Sequence, residues 1–226
     1  MNDLYPKHSF LFLLSSFFFV LIFYPLMHQQ MIASLVMKLF FSLVLVSSLY
    51  ILSYHRHVFF LGAICAIFAF LFEWLSYFHP IFSYRVLSDA FYLIFIIILI
   101  TTITRVIFFV KEVSLDTIYG AACIYLMLGI FFATVYSLIE LFIPGSFAGN
   151  FGDPFLKEGF YSLKAISESL IYFSYVTLTT LGYGDITPVS TPAKFLSILE
   201  ALSGQLFIAI AIGRSVGMYL AQSHHD

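Results

Sequence analysis

The sequence predicts an all-α membrane protein with six transmembrane helices and a short re-entrant helix between the fifth and the sixth. Two observations carry this prediction. Hydrophobic residues make up 62% of the 226 residues and charged residues only 10%, whereas soluble domains carry roughly 25% charged residues. Six apolar runs also reach the length of about 20 residues that a helix needs to cross a bilayer. A lipid bilayer is therefore the expected environment.

The six runs differ in the charges that they contain. They cover residues 9–27, 32–54, 58–78, 90–110, 118–143 and 193–220. The first has no charge, and the second has only Lys38, near enough to one end to snorkel. In the third, Glu73 beside Trp74 indicates an interfacial anchor. Arg105 is the only charge in the fourth run and Glu140 the only one in the fifth. Each run therefore remains apolar enough for a spanning helix.

The composition argues against several classes of function. The net charge of −2 is thinly spread and forms no basic patch, so no nucleic-acid partner is expected. Cys65 and Cys123 both fall inside apolar runs, so we expect neither a disulfide nor a metal site, and no cofactor. A membrane enzyme would need several polar groups at one depth, but Glu73, Glu140 and Glu200 are scattered. We therefore expect that the protein is not an enzyme.

A different kind of segment, residues 144–192, separates the fifth and sixth runs. It starts with turn residues and continues into an apolar stretch, residues 167–176, that is too short to span a bilayer. Ser167 suits the N-cap of a short helix, and Glu168 suits the positive end of its dipole. Glycines then break the stretch. Non-helical backbone at this depth is tolerated only inside protein or beside water, which predicts a re-entrant helix followed by a loop.

Residues 177–185 of this segment read TLTTLGYGD. The run resembles the signature TxxTxGYGD of potassium channels in the pore-loop, tetrameric voltage-gated-like cation channel superfamily, with Leu181 where Val or Ile is commoner. The resemblance extends over residues 117–220, about half of the chain, and has no gap from residue 177 to residue 204. It implies a potassium channel subunit of the bacterial six-helix type, in which this segment is the pore loop.

The resemblance implies which atoms bind the ion. Backbone carbonyls of Thr180, Leu181, Gly182 and Tyr183, with the Thr180 hydroxyl, replace the water shell of a potassium ion, and Gly184 completes this selectivity filter. K⁺ is then the permeant ion and not a cofactor. Aiming successive carbonyls at one axis needs residues that accept a positive φ, and Gly182 and Gly184 do so at little steric cost.

The resemblance also assigns roles around the filter. Asp185 lies at the outer mouth, where its charge attracts cations. The side chains that support the filter from the pore helix are Tyr172, Phe173, Val176, Thr177 and Thr179. Many family members have a Trp pair in place of Tyr172 and Phe173, and some bacterial members have Glu in place of Val176. Tyr172 keeps a hydrogen-bond donor and Phe173 does not, which bears on filter stability and inactivation.

Two residues of the last run have alternative interpretations. Gly204 lies 20 residues beyond Gly184, the spacing at which related channels place a hinge glycine of the inner helix. A close helix contact is the alternative. Glu200 is ionisable within a span, which makes it a functional candidate. It forms either a hydrogen bond behind the pore helix, which we favour, or an ion site in the cavity.

The resemblance divides the chain into two domains. Residues 1–112 form a four-helix, voltage-sensor-like transmembrane domain, and residues 113–226 form the pore module of outer helix, pore helix, filter and inner helix. A working sensor carries Arg or Lys at every third position of its fourth helix, because one charge contributes only about 2.3 kcal/mol per 100 mV. Arg105 stands alone in that helix, so we expect at most weak voltage dependence.

The sequence as a whole predicts passive potassium conduction by a homotetramer, because a filter needs four loops and the chain carries one. By the resemblance, the protein lies in the plasma membrane, the inner membrane of a bacterium, with both termini cytoplasmic. The expected partners are the other copies of the chain, the lipid bilayer and an unidentified regulatory protein. The alternatives are a non-selective monovalent cation channel and, in a different class, a non-conducting regulatory membrane subunit.

Overall fold

The computed structural model describes residues 9–23, 48, 52, 56–79, 81–109, 115–149 and 161–223. This part of the chain is mainly helical. Its α-helices are α1 (Ser9–Phe23), α2 (Arg56–Phe78), α3 (Phe82–Phe109), α4 (Leu115–Phe142), α5 (Tyr161–Leu178), α6 (Thr191–Phe207) and α7 (Gly213–Ser223). A π-helical segment, Ile208–Ile212, joins α6 to α7, and two short strands, β1 (Phe147–Gly149) and β2 (Ile186–Pro188), flank the region of α5.

Four described helical stretches are long and apolar enough to cross a membrane. They are His57–Ser76, Phe82–Phe108, Leu115–Phe142 and Thr191–Met218. Helix α1 has 15 residues, fewer than the roughly 17 that a span needs. The second predicted span, residues 32–54, lies outside the described residues except for positions 48 and 52. The described residues thus account for four of the six predicted spans.

Two helices begin six or more residues before their predicted starts. Helix α3 begins at Phe82 and not at residue 90, because its polar first turns are stabilised by an i,i+4 ion pair between Arg85 and Asp89, 3.3 Å apart. Helix α5 begins at Tyr161, so Ser167 lies inside the helix and the predicted N-cap is wrong. Good helix formers such as Lys164 and Ala165 precede Ser167, and they allow the helix to extend backwards.

One apolar cluster connects the early helices to α4. Phe10 and Leu13 of α1, Leu99 and Ile103 of α3 and Ile124 of α4 are all at most 3% exposed within it. The early helices therefore pack directly on the outer helix of the predicted pore module.

The far end of α3 contacts the far end of the inner helix. Two Arg214 nitrogens in α7 donate hydrogen bonds to the carbonyls of Ile107 (3.3 Å) and Phe108 (3.0 Å) in the last turn of α3. The guanidinium also lies over the Phe108 ring, 5.1 Å from its centroid. A cation suits the C-terminal end of a helix, where carbonyls lack helical partners. Arg214 therefore caps α3.

A second apolar cluster surrounds α5. Rings of Tyr136, Phe147 and Phe173 meet pairwise at 5.3 Å between centroids, in edge-on orientations. Strands β1 and β2 pair antiparallel, with Phe147 opposite Pro188 and Gly149 opposite Ile186. The chain before α5 and the chain after the loop that follows α5 therefore lie side by side.

Gly129 in α4 allows α5 to approach closely. A Cβ at this position would lie 2.5 Å from a ring carbon of Tyr175. The ring cannot easily move away, because the Tyr175 hydroxyl donates a hydrogen bond of 2.8 Å to the carbonyl of Leu126. The glycine therefore sets the distance between the two helices.

We expect Gly129→Ala to lower the thermal unfolding temperature of the detergent-solubilised protein, because overpacking of this kind costs about 1–3 kcal/mol. The matched control is Gly213→Ala, since Gly213 has no atom within 4 Å of an added Cβ. That change should be neutral or stabilising by up to about 1 kcal/mol through helix propensity. Equal unfolding temperatures for Gly129→Ala and the wild type would contradict the packing.

Candidate functional site

The loop between α5 and β2 has an alternating backbone. Thr180, Gly182 and Gly184 have φ of 59°, 60° and 78°, whereas Leu181 and Tyr183 between them are not among the positive-φ residues. Both glycines thus have the positive φ expected from the sequence. A backbone in which left-handed residues alternate with right-handed ones turns successive peptide groups the same way, and a positive φ at every second residue is compatible with that arrangement. This loop can therefore present a row of carbonyl oxygens.

The amides of the loop turn back towards α5. The carbonyl of Val176 accepts hydrogen bonds from the N–H groups of Leu181 (2.9 Å) and Gly182 (3.4 Å), and the carbonyl of Thr177 accepts from Thr180 N–H (2.9 Å). Val176 is buried and Thr177 half-buried. The start of the loop is therefore held by the last turn of α5.

Thr180 holds a strained position. It is the one non-glycine residue with positive φ in the described part of the chain, a conformation that costs an L-residue roughly 1–2 kcal/mol. Its hydroxyl donates to the carbonyl of Thr179 (2.7 Å), and the side-chain amide of Gln205 in α6 donates to the same hydroxyl (3.5 Å). Strained residues persist where their surroundings hold them and concentrate at functional sites. Residue type alone predicts a positive φ only for the two glycines.

Tyr172 and Asp185 form a contact at the outer end of the loop. A side-chain hydrogen bond joins them, and this bond to Asp185 raises the pKa of the Tyr172 hydroxyl above its ordinary value. The backbone of β1 lies against the same point, since a Cβ on Gly149 would be 2.7 Å from the carbonyl oxygen of Asp185. The Tyr172 hydroxyl is therefore the hydrogen-bond donor to Asp185, a bond that the sequence left possible at this position.

The other supporting residues of α5 are placed differently. Phe173 is buried among the rings of Tyr136 and Phe147, so it contributes packing where a Trp would contribute a donor. Thr179 is exposed, and its hydroxyl donates to the carbonyl of Tyr175 (2.6 Å). At the two positions of the Trp pair, the loop therefore has a polar support, Tyr172, and an apolar support, Phe173.

The side chains of Leu181 and Tyr183 are exposed in a single chain, by 59% and 67%. Within one chain, the Tyr183 side chain is therefore not covered by a neighbouring helix. Both side chains are therefore accessible to lipid or to another protein surface.

Gly204 is a close contact. A Cβ on it would lie 2.7 Å from the carbonyl oxygen of Leu178 at the end of α5. This packing favours the contact interpretation over the hinge. The irregular part of the inner helix comes later, at the π-helical segment Ile208–Ile212, and the sequence contained no glycine or proline to indicate it.

Glu200 lies behind α5 and is 0% exposed. It accepts a hydrogen bond of 2.6 Å from the Tyr136 hydroxyl and is hydrogen-bonded to Ser174. This position matches the favoured interpretation, a hydrogen bond behind the pore helix.

Two polar side chains make contacts to which the sequence assigned no role. Tyr125 donates to the carbonyl of Leu178 (3.2 Å). Glu140 accepts from the N–H groups of Gly145 (2.7 Å) and Phe147 (3.2 Å), which fixes the turn after α4. No group of three His, Cys, Asp or Glu side chains that could hold a metal ion occurs among the described residues.

Comparisons with known proteins bear on residues 124–220, which match a family model described as an ion channel. The voltage-gated potassium channel Kch of Escherichia coli is 37% identical over 71 residues, which are 31% of this chain and 17% of that channel. Protein LctB of Geobacillus stearothermophilus is 31% identical over 112 residues, 46% of this chain and 74% of that protein. The potassium channel protein kcv of Paramecium bursaria Chlorella virus 1 is 34% identical over 77 residues, 34% of this chain and 77% of that protein. No solved structure matches the chain.

We expect Tyr172→Phe to make ion flux through the reconstituted protein decay faster, because Asp185 loses its hydrogen-bond donor. Because the pKa of Tyr172 is raised, its hydroxyl keeps its hydrogen, and the bond is complete, at every pH below the ordinary tyrosine pKa. The bond is lost only when the pH rises through the raised pKa. Wild-type decay should therefore be constant across the neutral range. The control is Tyr119→Phe in α4, the same change on another helix. Identical decay in wild type and Tyr172→Phe would contradict a supporting role.

Proposed function

This chain belongs to the pore-loop potassium channel superfamily, and on that basis we propose that it conducts potassium ions passively and selectively across a membrane. The observation that carries the proposal is the alternation of φ at Thr180, Gly182 and Gly184, because it can place a row of carbonyl oxygens along one edge of the loop. Potassium filters use such carbonyls in place of the ion's water shell.

In this proposal the ion is bound by the carbonyls of Thr180, Leu181, Gly182 and Tyr183, with the Thr180 hydroxyl at the inner end. Gly184 completes the filter, and Asp185, which is exposed, attracts cations to the outer mouth. The Gln205 amide, 3.5 Å from the Thr180 hydroxyl, keeps that hydroxyl oriented.

The same proposal requires a homotetramer. One loop offers oxygens from one side only, and a dehydrated ion needs them all round, so four loops surround one axis. The exposed side chains of Leu181 and Tyr183, 59% and 67% exposed in a single chain, support contact with neighbouring copies. In the tetramer, Tyr183 would then brace the filter between subunits.

We further propose that α5 is a re-entrant pore helix. It has 18 residues, and the pairing of Gly149 with Ile186 supports a chain that enters and leaves on the same side of the membrane. With residues 1–112 as a four-helix domain and residues 113–226 as the pore module, six spans leave both termini on one side. We assign that side to the cytoplasm of a bacterium and the membrane to its plasma membrane.

We expect Gly182→Asn to reduce potassium flux in liposomes to the background level. Asparagine tolerates positive φ better than most residues, so the change adds a side chain to the filter with little backbone strain. The matched control is Gly145→Asn, since Gly145 also has positive φ, 81°, and open space around it, and this variant should conduct normally. A Gly182→Asn protein that conducts like the wild type would disprove the filter assignment. The bi-ionic reversal potential of the wild type measures selectivity over sodium separately.

We expect a shallow conductance–voltage relation that Arg105→Gln leaves unchanged. Four copies carry four Arg105 side chains, whereas steep gating uses about three to four charges in each subunit. Arg105 is also exposed on α3, which suits a surface anchor. Recordings in planar bilayers check this, and a steep relation that flattens in Arg105→Gln would contradict it.

A further inference from the structure

Glu200 is an ionisable side chain in the interior of a predicted span, and its side chain is completely buried. Both of its oxygens have partners from other helices. Tyr136 of α4 lies 2.6 Å from Oε2, and Ser174 of α5 is hydrogen-bonded to Oε1. A carboxyl group at this depth is costly unless its hydrogen bonds are complete. The arrangement of donors and acceptors therefore decides what this group does.

The donors can be counted. The Ser174 hydroxyl lies within hydrogen-bond distance of two oxygens, the carbonyl of Gly129 (2.6 Å) and the Glu200 carboxyl. A hydroxyl has one hydrogen, so it donates to only one of them. If Ser174 donates to Gly129, its bond to Glu200 needs a hydrogen from Glu200. A neutral carboxyl group supplies that hydrogen and still accepts from Tyr136 on its other oxygen.

In the arrangement with a neutral Glu200, the hydrogen bonds form one continuous chain. The Tyr136 hydroxyl donates to Glu200, the Glu200 hydroxyl donates to Ser174, and the Ser174 hydroxyl donates to the carbonyl of Gly129. The chain starts and ends on α4 and passes through α6 and α5. It therefore ties the three helices of the proposed pore module into one closed circuit with each donor used once.

The circuit lies next to Val176, the residue of α5 that holds the amides of the loop. Ser174 is two residues before Val176, whose carbonyl accepts the amides of Leu181 and Gly182. One turn further along, Gly204 of α6 touches the carbonyl of Leu178. That second contact is close but includes no side-chain hydrogen bond, so the Glu200–Ser174 bond is the directional contact between α5 and α6.

We propose that Glu200, as a neutral carboxyl group, is a positioning residue for ion selectivity: it holds the pore helix at the height that keeps the filter in its conducting form. The inference rests on the proposed potassium-channel function. Glu200 acts through Ser174 and Val176 and touches no ion.

The test compares Glu200→Gln, Glu200→Leu and Ser174→Ala in liposomes, with Glu73→Gln as the matched control. Glu73 is a partly buried carboxyl that accepts from Ser88 (3.1 Å) within α2 and α3. A glutamine at position 200 can accept from Tyr136 and donate to Ser174, so it should keep flux and the K⁺/Na⁺ permeability ratio within about twofold of wild type, a difference below about 0.5 kcal/mol. Glu200→Leu should lower the permeability ratio on the order of tenfold, equivalent to about 1.4 kcal/mol.

Ser174→Ala keeps the test valid if Glu200→Leu does not assemble. It removes one hydroxyl without a large change in volume, and we expect an intermediate loss of selectivity with a normal tetramer yield by size-exclusion chromatography. The Glu73→Gln control should keep the wild-type permeability ratio. Infrared difference spectra of wild type minus Glu200→Gln should contain the carbonyl stretch of a protonated carboxylic acid, and this signal does not depend on conduction.

The outcomes separate the two levels of the proposal. Wild-type selectivity in Glu200→Leu or Ser174→Ala would overturn the positioning role. The neutral hydrogen-bond circuit would be overturned if Glu200→Gln lost as much selectivity as Glu200→Leu. It would also be overturned if the difference spectrum of wild type minus Glu200→Gln contained carboxylate bands in place of the protonated-acid band. No potassium flux through the wild type would overturn the proposed function, and with it the role in selectivity, even if the protonated-acid band is present.

Discussion

The alternating backbone of the loop after α5 is the constraint on which the rest of the site depends. Such a backbone does not support itself, because it lacks the repeated hydrogen bonds of a helix or a sheet. Its amides at Leu181 and Gly182 are held by the carbonyl of Val176, and its outer end is held by the bond between Tyr172 and Asp185. In the proposed channel, the loop leaves one edge available to ions, and its hydrogen bonds come from the other edge and from its ends.

Because α5 holds the loop, the position of α5 is critical. Three contacts determine that position. Helix α4 approaches through Gly129, helix α6 approaches through Gly204, and the ring of Phe173 packs against Tyr136 and Phe147. Each such ring pair contributes roughly 0.5–1.5 kcal/mol beyond its buried area. Aromatic packing behind α5 thus occupies the position where the resemblance to potassium channels predicts one ring of a Trp pair.

The parts of the site that the sequence predicted are local in the chain. Positive φ at Gly182 and Gly184 follows from residue type, and the long apolar runs follow from composition. The early start of α3 could not be found from hydropathy, because the ion pair of Arg85 with Asp89 makes two charges compatible with a helix. The partners of Glu200 lie 26 and 64 positions away, and no local pattern specifies such pairs. Strain at Thr180 was equally hidden, since threonine alone does not indicate positive φ.

The π-helical segment Ile208–Ile212 reconciles two contacts of the inner helix. In a regular α-helix each residue turns by about 100°, so fourteen positions would bring Arg214 within about 40° of the face that carries Glu200. One additional residue in a π turn moves that angle to about 140°. Glu200 can then face α5 while Arg214 faces the carbonyls at the end of α3. The irregular turn therefore lets the inner helix contact α5 at one end and the end of α3 at the other.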